Sequence, residues 1–283
     1  MPELPEVETM CRGIAGVVGS TIRDVQRLTC DLKPIRVEPR PDRFRSRVVG
    51  RQISQIGRVG KRVIVHLDNQ DAIVFEPRMT GLVLVTKPPD VAHLRFRLDL
   101  AGRPVRRVWY WDRRGLGSVR LLTPRQFDKL LGPHRLGPDA LAISADELRE
   151  QFCKSRRAIK VALLDQRAIA GIGNLYASEI LHVAGVHPTR RPDRLTHDEW
   201  SRVYAAMIEV LDEAIRLEGS TLDDGTYRNA LNNPGRYQNR HRVYKRAGRP
   251  CAQCGAAEVR RIVQAQRSTF FCPVCQPRRP GVK

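Results

Sequence analysis

The sequence predicts a multidomain α+β protein with a mainly β first half, a helical second half and a small basic module at the end. Three observations predict this organisation. Short apolar or alternating runs broken by turn residues fill residues 20–122, as in β-strands. Beyond residue 122 apolar residues recur at helical spacing. Residues 231–283 hold twelve Lys and Arg against one acidic residue, Glu258.

The elements follow from these patterns in chain order. Apolar residues recur at helical spacing over residues 7–18, which predicts the first helix. Pro5 stands before this span, where a first helical position tolerates proline, and Gly19 could end the helix. We predict strands at 63–67, 72–75, 82–85 and 95–98, and further helices at 145–152, 158–164, 175–183 and 198–217. A domain boundary is therefore expected near residues 130–145.

Composition bounds the classes of partner. With 283 residues and 41% hydrophobic residues, the chain can bury ordinary cores, so a fibre or a disordered chain is excluded. A net charge of +20 attracts polyanions, which include both nucleic acid and anionic membrane. The longest apolar run, residues 204–208, is far short of the roughly 20 residues that span a bilayer. Glu3, Glu6 and Glu8 replace the basic start of a secretory signal, so a cytoplasmic protein is expected.

Four of the seven cysteines form two CxxC pairs, Cys251-x2-Cys254 and Cys272-x2-Cys275, separated by 17 residues. Four thiolates at this spacing predict one structural zinc ion, with no position left for water. The alternative is four free thiols in a loop. Three arginines lie between the pairs and could reach phosphate or remain solvated: Arg260, Arg261 and Arg267.

The N-terminal hexapeptide Met-Pro-Glu-Leu-Pro-Glu is the candidate catalytic motif. Removal of Met1 would expose the secondary amine of Pro2 beside the carboxylates of Glu3 and Glu6. Such an amine can attack a sugar C1′ and form an iminium adduct, while a carboxylate transfers protons. The alternative is structural, because Pro and Glu commonly begin helices.

Two further segments carry weaker signals. Gly171 and Gly173 precede Asn174 at the start of a helix, where backbone amides suit phosphate, although capping would explain the asparagine equally well. The loop 111–117 is expected at a sheet edge. There Leu116, with Met79, could fill the space left by a rotated base while Arg114 contacts its partner; packing or surface roles are the alternative.

Together these motifs resemble the formamidopyrimidine-DNA glycosylase family, which includes the endonuclease VIII branch. The likeness runs from Pro-Glu-Leu-Pro-Glu at the start, through Lys61 in Gly-Lys-Arg-Val and through Gly-Ile-Gly-Asn-Leu-Tyr-Ala-Ser-Glu, to the cysteine hairpin with Gln266-Arg267. The resemblance implies a β-sandwich with flanking helices at 2–130, a helix-two-turns-helix domain at 140–235 and a β-hairpin zinc finger at 242–277. DNA would lie in the cleft between the halves.

By the same resemblance Pro2 is the nucleophile, Glu3 the acid at the deoxyribose ring and Glu6 a supporting carboxylate. The family also places a lysine, here Lys61, near the DNA backbone and lesion, and it uses Arg267 with Asn174 to clamp phosphates. The DNA-binding set implied is Met79, His93, Arg114, Leu116 and Asn174.

The implied activity is that of a bifunctional DNA glycosylase and abasic-site lyase of base excision repair. It would remove oxidised purines such as 8-oxoguanine and formamidopyrimidines. The motif has Leu4 where the oxidised-purine branch has leucine and the endonuclease VIII branch usually has glycine. The alternatives are an endonuclease VIII-like enzyme for oxidised pyrimidines and a non-catalytic, zinc-dependent damaged-DNA-binding protein. The expected partner is damaged double-stranded DNA, with no membrane, and the expected state is a monomer located with the nucleoid in the cytoplasm.

The loop departs from the family's Asp-x-Arg-Arg/Lys-Phe-Gly pattern. Here it reads Asp112-Arg113-Arg114-Gly115-Leu116-Gly117, so Leu116 replaces the aromatic wedge and Gly115 replaces a basic residue. Base stacking on an aromatic ring is worth roughly 1–3 kcal/mol, which leucine does not supply.

Overall fold

The computed structural model describes residues 2–30 and 32–278, which form two compact units. The first unit is the chain up to Arg135 together with Ala214–Gln238. The second is Leu136–Glu213 together with the chain from Asn239 onward. The domain limits expected from the sequence, at 2–130, 140–235 and 242–277, stay predictions.

The first unit is a β-sandwich with short helices. Its helices are α1 (Leu4–Ile14), α2 (Pro41–Val48) and α3 (Pro124–Leu131). Its strands are β1 (Thr21–Arg27), β2 (Arg36–Glu38), β3 (Ile53–Val59), β4 (Arg62–Leu67), β5 (Ala72–Glu76), β6 (Gly81–Leu84), β7 (Leu94–Ala101), β8 (Arg107–Asp112) and β9 (Ser118–Leu122).

These strands form two sheets, in the orders β1-β7-β8-β6 and β2-β9-β5-β4-β3. Alternate residues of both sheets enter one apolar core, which explains the alternating sequence pattern. Phe75 of β5 lies 6.1 Å from Phe96 of β7 and 5.6 Å from Tyr110 of β8, between ring centroids. Aromatic contacts therefore join the two sheets across the core.

The four strands and the first helix predicted from the sequence are confirmed, although α1 ends at Ile14 and a 3-10 turn continues to Val17. Helix α2 lies in a region expected to be β. It buries only Phe44 and Val48, and one such pair gives too little periodicity to predict a helix.

The second unit is helical and carries the cysteine hairpin. It contains α4 (Ala145–Phe152), α5 (Ile159–Leu163), α6 (Asn174–Val183), most of α7 (His197–Arg216) and the antiparallel strands β10 (Arg260–Gln264) and β11 (Arg267–Phe271). The helices predicted beyond residue 140 are confirmed. Between α5 and α6 the Gln166 amide fixes two turns, because Nε2 donates to the Ile172 carbonyl at 2.8 Å and Oε1 accepts from the Gly171 N–H at 3.1 Å.

Candidate functional site

The N-terminal segment is buried and held by one carboxylate. Pro2 is buried, and Glu3 and Glu6 are 3% and 2% exposed. Glu6 accepts the Glu3 N–H at 2.9 Å and the Ser220 N–H at 2.8 Å. Gly219 has φ +77°, and a Cβ there would lie 2.8 Å from Glu6 Oε1, so the chain needs glycine at this approach. Met1 lies outside the described residues.

The buried Tyr227 side chain contacts the same segment. Its hydroxyl donates to the Glu218 carbonyl at 3.0 Å and contacts the Glu6 carbonyl oxygen at 3.4 Å. Burial, with the nearby Glu6 charge, raises the pKa of Tyr227 far above its usual range, so the hydroxyl stays protonated as a donor. Sequence reasoning did not assign these contacts, because residues more than 200 positions apart carry no shared pattern.

Lys61 lies at the two-residue turn between β3 and β4, next to Gly60 at φ +55°. The Arg58 guanidinium donates to the Gly60 carbonyl at 3.1 Å and to Glu8 Oε2 at 2.9 Å. Burial acts to raise the pKa of Glu8, but the hydrogen bonds from Arg58 and Arg12 lower it overall. An ion pair therefore joins helix α1, which begins just after Glu3 and contains Glu6, to the hairpin that carries Lys61.

A buried carboxylate organises the loops beside this end of the sandwich. Asp112 is fully buried and accepts from the Thr80 hydroxyl at 2.5 Å, the Gly117 N–H at 2.8 Å and the Arg114 N–H at 3.2 Å. Its own N–H donates to the His93 carbonyl at 2.9 Å. Three loops thus meet at Asp112.

These loops present the side chains expected to bind DNA. Met79 and Arg114 are exposed, whereas Leu116 and His93 are half-buried. His93 Nδ1 lies 2.8 Å from an Asp90 carboxylate oxygen. Burial acts to raise the pKa of Asp90, and hydrogen bonds from His93 lower it overall. The structure brings the loops of all four predicted residues together.

The loop 113–117 also explains one departure from the family pattern. Gly115 has φ +59°, and a Cβ there would lie 2.1 Å from the Lys33 carbonyl oxygen. Only glycine is accommodated at this approach. The expectation of a sheet-edge loop is wrong, because β8 and β9 are both inner strands and the loop crosses from one sheet to the other.

In the second unit, Asn174 is the first residue of α6 and Gly173 is the N-cap. The Asn174 side chain does not cap the helix. Its Oδ1 accepts from Lys160 Nζ at 2.5 Å and its Nδ2 donates to the Ser268 carbonyl at 3.0 Å. The capping alternative is therefore wrong, and the amide is used to hold the hairpin.

Lys160 joins the same contact and was not found from the sequence. It is fully buried and donates to Thr269 Oγ1 at 2.8 Å and to the Ser268 carbonyl at 3.2 Å. Arg267 precedes these residues and is exposed at the start of β11, after a tight turn with two left-handed residues, 265 and 266. The two predicted phosphate clamps, Asn174 and Arg267, are thus brought to one place.

The remaining hairpin arginines are exposed. Arg261 Nε donates to Ser268 Oγ at 2.9 Å, whereas Arg260 lies at the other end of β10, opposite Phe271. The hairpin therefore presents positive charge along its length, as an electrostatic contact with phosphate requires.

The four cysteine sulfurs fit a tetrahedral metal ion. Cys251 and Cys275 are 3.8 Å apart, Cys254 and Cys272 are 3.7 Å apart, and all four sulfurs lie within 4.8 Å of one another. A Zn–S bond of about 2.3 Å gives a tetrahedral edge of about 3.8 Å. Burial raises the pKa of Cys272 and Cys275, and a backbone hydrogen bond at Ala256 lowers that of Cys254 to about 7. A coordinating cation deprotonates such thiols outright.

The fold, the loops beside the N-terminal segment and the basic hairpin with its four cysteines define a zinc-finger protein of the nucleic-acid-binding class. Family models match it in three stretches. The formamidopyrimidine-DNA glycosylase N-terminal domain matches residues 1–119, the H2TH domain of the same enzymes matches 136–226, and the zinc finger found in FPG and IleRS matches 248–278. No helix among the described residues is long and apolar enough to cross a membrane.

Curated relatives and solved structures agree. The chain is 39% identical to the formamidopyrimidine-DNA glycosylase of Chloroflexus aurantiacus, over 98% of both chains, and 40% identical to that of Thermus thermophilus, over 99% and 100%. It matches the crystal structure of the MutM (Fpg) protein from Thermus thermophilus with a TM-score of 0.84 and 37% identity, over 99% and 100% of the chains. It also matches a Lactococcus lactis Fpg mutant in complex with Fapy-dG-containing DNA, with a TM-score of 0.85 and 31% identity. This match covers 98% of the chain and 100% of the other chain.

The chain belongs to the formamidopyrimidine-DNA glycosylase family, and its C-terminal hairpin is the family's zinc finger, with one structural zinc site at Cys251, Cys254, Cys272 and Cys275. The resemblance inferred from the motifs and the α+β fold class are both confirmed.

Proposed function

We propose that this protein is a bifunctional DNA glycosylase and abasic-site lyase that removes oxidised purines. The observation that carries the proposal is the buried Pro2 next to the buried Glu3, whose backbone N–H is held by Glu6. A binding protein needs no secondary amine beside two carboxylates. The zinc ion takes no part in the chemistry, because its four protein ligands leave no open position.

The reaction uses the amine and one carboxylate. After Met1 is removed, the Pro2 nitrogen bonds to C1′ as the bond to the damaged base breaks, and the departing base takes up the proton that the amine loses. The ring oxygen O4′ leaves C1′ and takes a proton from Glu3, which gives an iminium. Loss of a C2′ proton then expels the 3′ phosphate, and a second elimination expels the 5′ phosphate. Hydrolysis of the iminium returns the amine and leaves a one-nucleotide gap.

The other residues hold the DNA in this proposal. Leu116 and Met79 fill the space left by the extruded nucleotide, and Arg114 binds the unpaired base opposite. Lys61 and His93 bind near the lesion and its backbone. In the second unit, Asn174 and Arg267 bind phosphates of the bent DNA strand.

The choice of oxidised purines rests on two supports. Leu4 stands in the motif where the purine branch has leucine, and it is fully buried at the start of α1. The curated relatives are named formamidopyrimidine-DNA glycosylases, and neighbours were solved with DNA containing Fapy-dG or an abasic site. We further propose that the protein acts as a monomer on damaged chromosomal DNA in the cytoplasm, where that substrate lies.

Strand cleavage on matched duplexes tests this proposal. Duplexes carrying 8-oxoguanine, an oxidised pyrimidine or no lesion should yield a one-nucleotide gap only at 8-oxoguanine, and the P2G and E3Q variants should lose it. Preferential cutting at the pyrimidine would move the enzyme to the endonuclease VIII-like class. Binding without cleavage on every duplex would leave a damage-binding protein.

A further inference from the structure

His182 lies in the last turn of α6, fully buried against the cysteine cluster. Its Nε2 is 3.5 Å from the sulfur of Cys251. Its Nδ1 is buried and has no hydrogen-bond partner within residues 2–30 and 32–278. One ring nitrogen therefore lies near the sulfur of a zinc ligand, and the other makes no hydrogen bond within the part of the chain that the structure describes.

These two environments fix the position of the imidazole proton. A zinc-bound cysteine is a thiolate, which can only accept a hydrogen bond. A proton on Nδ1 would be a buried donor without an acceptor, which proteins avoid. The proton therefore belongs on Nε2, which points at the sulfur.

We propose that His182 is a positioning residue for the zinc site, donating Nε2–H to the Cys251 thiolate. The hydrogen bond places the positive end of the N–H dipole beside the sulfur and orients the Cys251 side chain. Groups that hydrogen-bond to metal ligands orient them and typically change metal affinity by 10–100-fold. This role is separate from the proposed glycosylase chemistry, because no residue of the N-terminal segment takes part.

The geometry also links the zinc site to the DNA-binding end of α6. Asn174 at the first turn holds the hairpin through Ser268, and His182 at the last turn contacts Cys251. Between them, Glu179 accepts the backbone N–H groups of residues 242–244 at 2.8–3.0 Å. One helix therefore holds the zinc module at three points.

The test compares H182L, which removes the donor, with H182Q, whose amide nitrogen can reach the same position. L181A is the packing control, since Leu181 is an equally buried neighbour on α6. Zinc affinity is measured on the full chain by chelator competition. We expect roughly tenfold weaker binding in H182L, and near wild-type binding in H182Q and L181A.

The spectrum of the cobalt-substituted protein supplies a readout that altered packing does not move. Loss of a hydrogen bond to thiolate should shift the sulfur-to-cobalt charge-transfer band to lower energy in H182L only, while the tetrahedral d–d bands persist. Wild-type affinity and an unshifted band in H182L would overturn the proposal. So would equal weakening in H182L, H182Q and L181A, because that result would assign His182 to packing alone.

Discussion

At the scale of single residues, the Glu6 carboxylate joins two parts of the chain that meet at the candidate nucleophile. One oxygen accepts from the Glu3 N–H and the other from the Ser220 N–H. A carboxylate can satisfy both donors, whereas a carboxamide offers one acceptor and presents an NH2 group to the second donor. The two acceptor oxygens of Glu6 therefore suit the N-terminal geometry, and a carboxamide would not replace them.

The E6Q variant tests this requirement. We expect a loss of about 1–3 kcal/mol in the free energy of unfolding, since one buried donor becomes unsatisfied. Adduct formation with abasic DNA should slow as Pro2 is displaced. Denaturant titration and single-turnover trapping measure the two effects. Unchanged stability and rate would show that Glu6 does not position the segment.

The side chain of Leu116 in the loop 113–117 is expected to contact DNA, and its replacement tests that contact. Replacing it by phenylalanine restores a stacking surface at the half-buried tip of the loop, and a stacked base is worth roughly 1–3 kcal/mol. We expect L116F to bind a duplex with an abasic-site analogue about tenfold more tightly, with V49F as a control for added surface apolarity. A weaker or unchanged complex would remove Leu116 from the DNA contact.

At the scale of elements, an ion pair between Glu8 and Arg58 ties α1 to the β3–β4 hairpin. The pKa of Glu8 lies below its ordinary value of 4.5 in the folded protein. A lowered carboxyl pKa contributes stability above the unfolded-state value, and this contribution is lost as pH falls through the folded-state value.

The E8Q variant makes that linkage measurable. The difference in Tm between wild type and E8Q should be full above about pH 4.5 and should shrink as the pH falls further. The exposed Glu150 supplies the matched control, E150Q. A Tm difference that does not change with pH would mean that the Glu8 charge is not linked to folding.

The cysteine hairpin is the second element with a specific role. If Arg267 binds one phosphate, R267A should weaken binding similarly for all duplexes and reduce the slope of log K against log salt by about 1. R260A, at the other end of β10, is the control. Equal slopes for R267A and wild type would exclude the clamp.

The sequence predicts most secondary-structure elements, but it does not predict the contacts between residues far apart in the chain. Strands, long helices and the cysteine cluster were predicted because periodicity and ligand spacing are local. Helix α2 was not predicted, because only Phe44 and Val48 mark its buried face.

The candidate site was predicted in its chemical groups but not in the contacts that hold them. Pro2, Glu3 and the cysteines stand in local motifs. Lys160, Tyr227 and Ser220 act through contacts with distant residues, and such contacts leave no pattern in one sequence. The sequence shows Gly115 only as a departure from the family pattern, and its close approach to the Lys33 carbonyl explains why glycine stands there.

At the scale of the whole molecule, the structural zinc belongs to the second unit and the candidate nucleophile to the first. Each unit has its own buried residues, so loss of the metal should affect them unequally. Small zinc modules depend on the metal for folding, whereas none of the four clustered cysteines belongs to the sandwich core.

Chelation or the C251S variant should therefore weaken DNA binding and leave the first unit folded. Circular dichroism should retain the strand signal of the sandwich, while hydrogen exchange should increase over residues 251–275. The full-length protein with zinc restored is the control. DNA binding that survives zinc loss would contradict the assignment of the hairpin to the interface.

The central claim is that Pro2 attacks the sugar, and borohydride trapping tests it most directly. The protein is first shown by mass spectrometry to lack Met1, then mixed with borohydride and a duplex carrying 8-oxoguanine, and the adduct is digested. We expect a reduced sugar–phosphate remnant on the N-terminal peptide at Pro2, and no adduct from P2G. An adduct on a lysine, or none on wild-type protein that binds and cuts the duplex, would contradict the account.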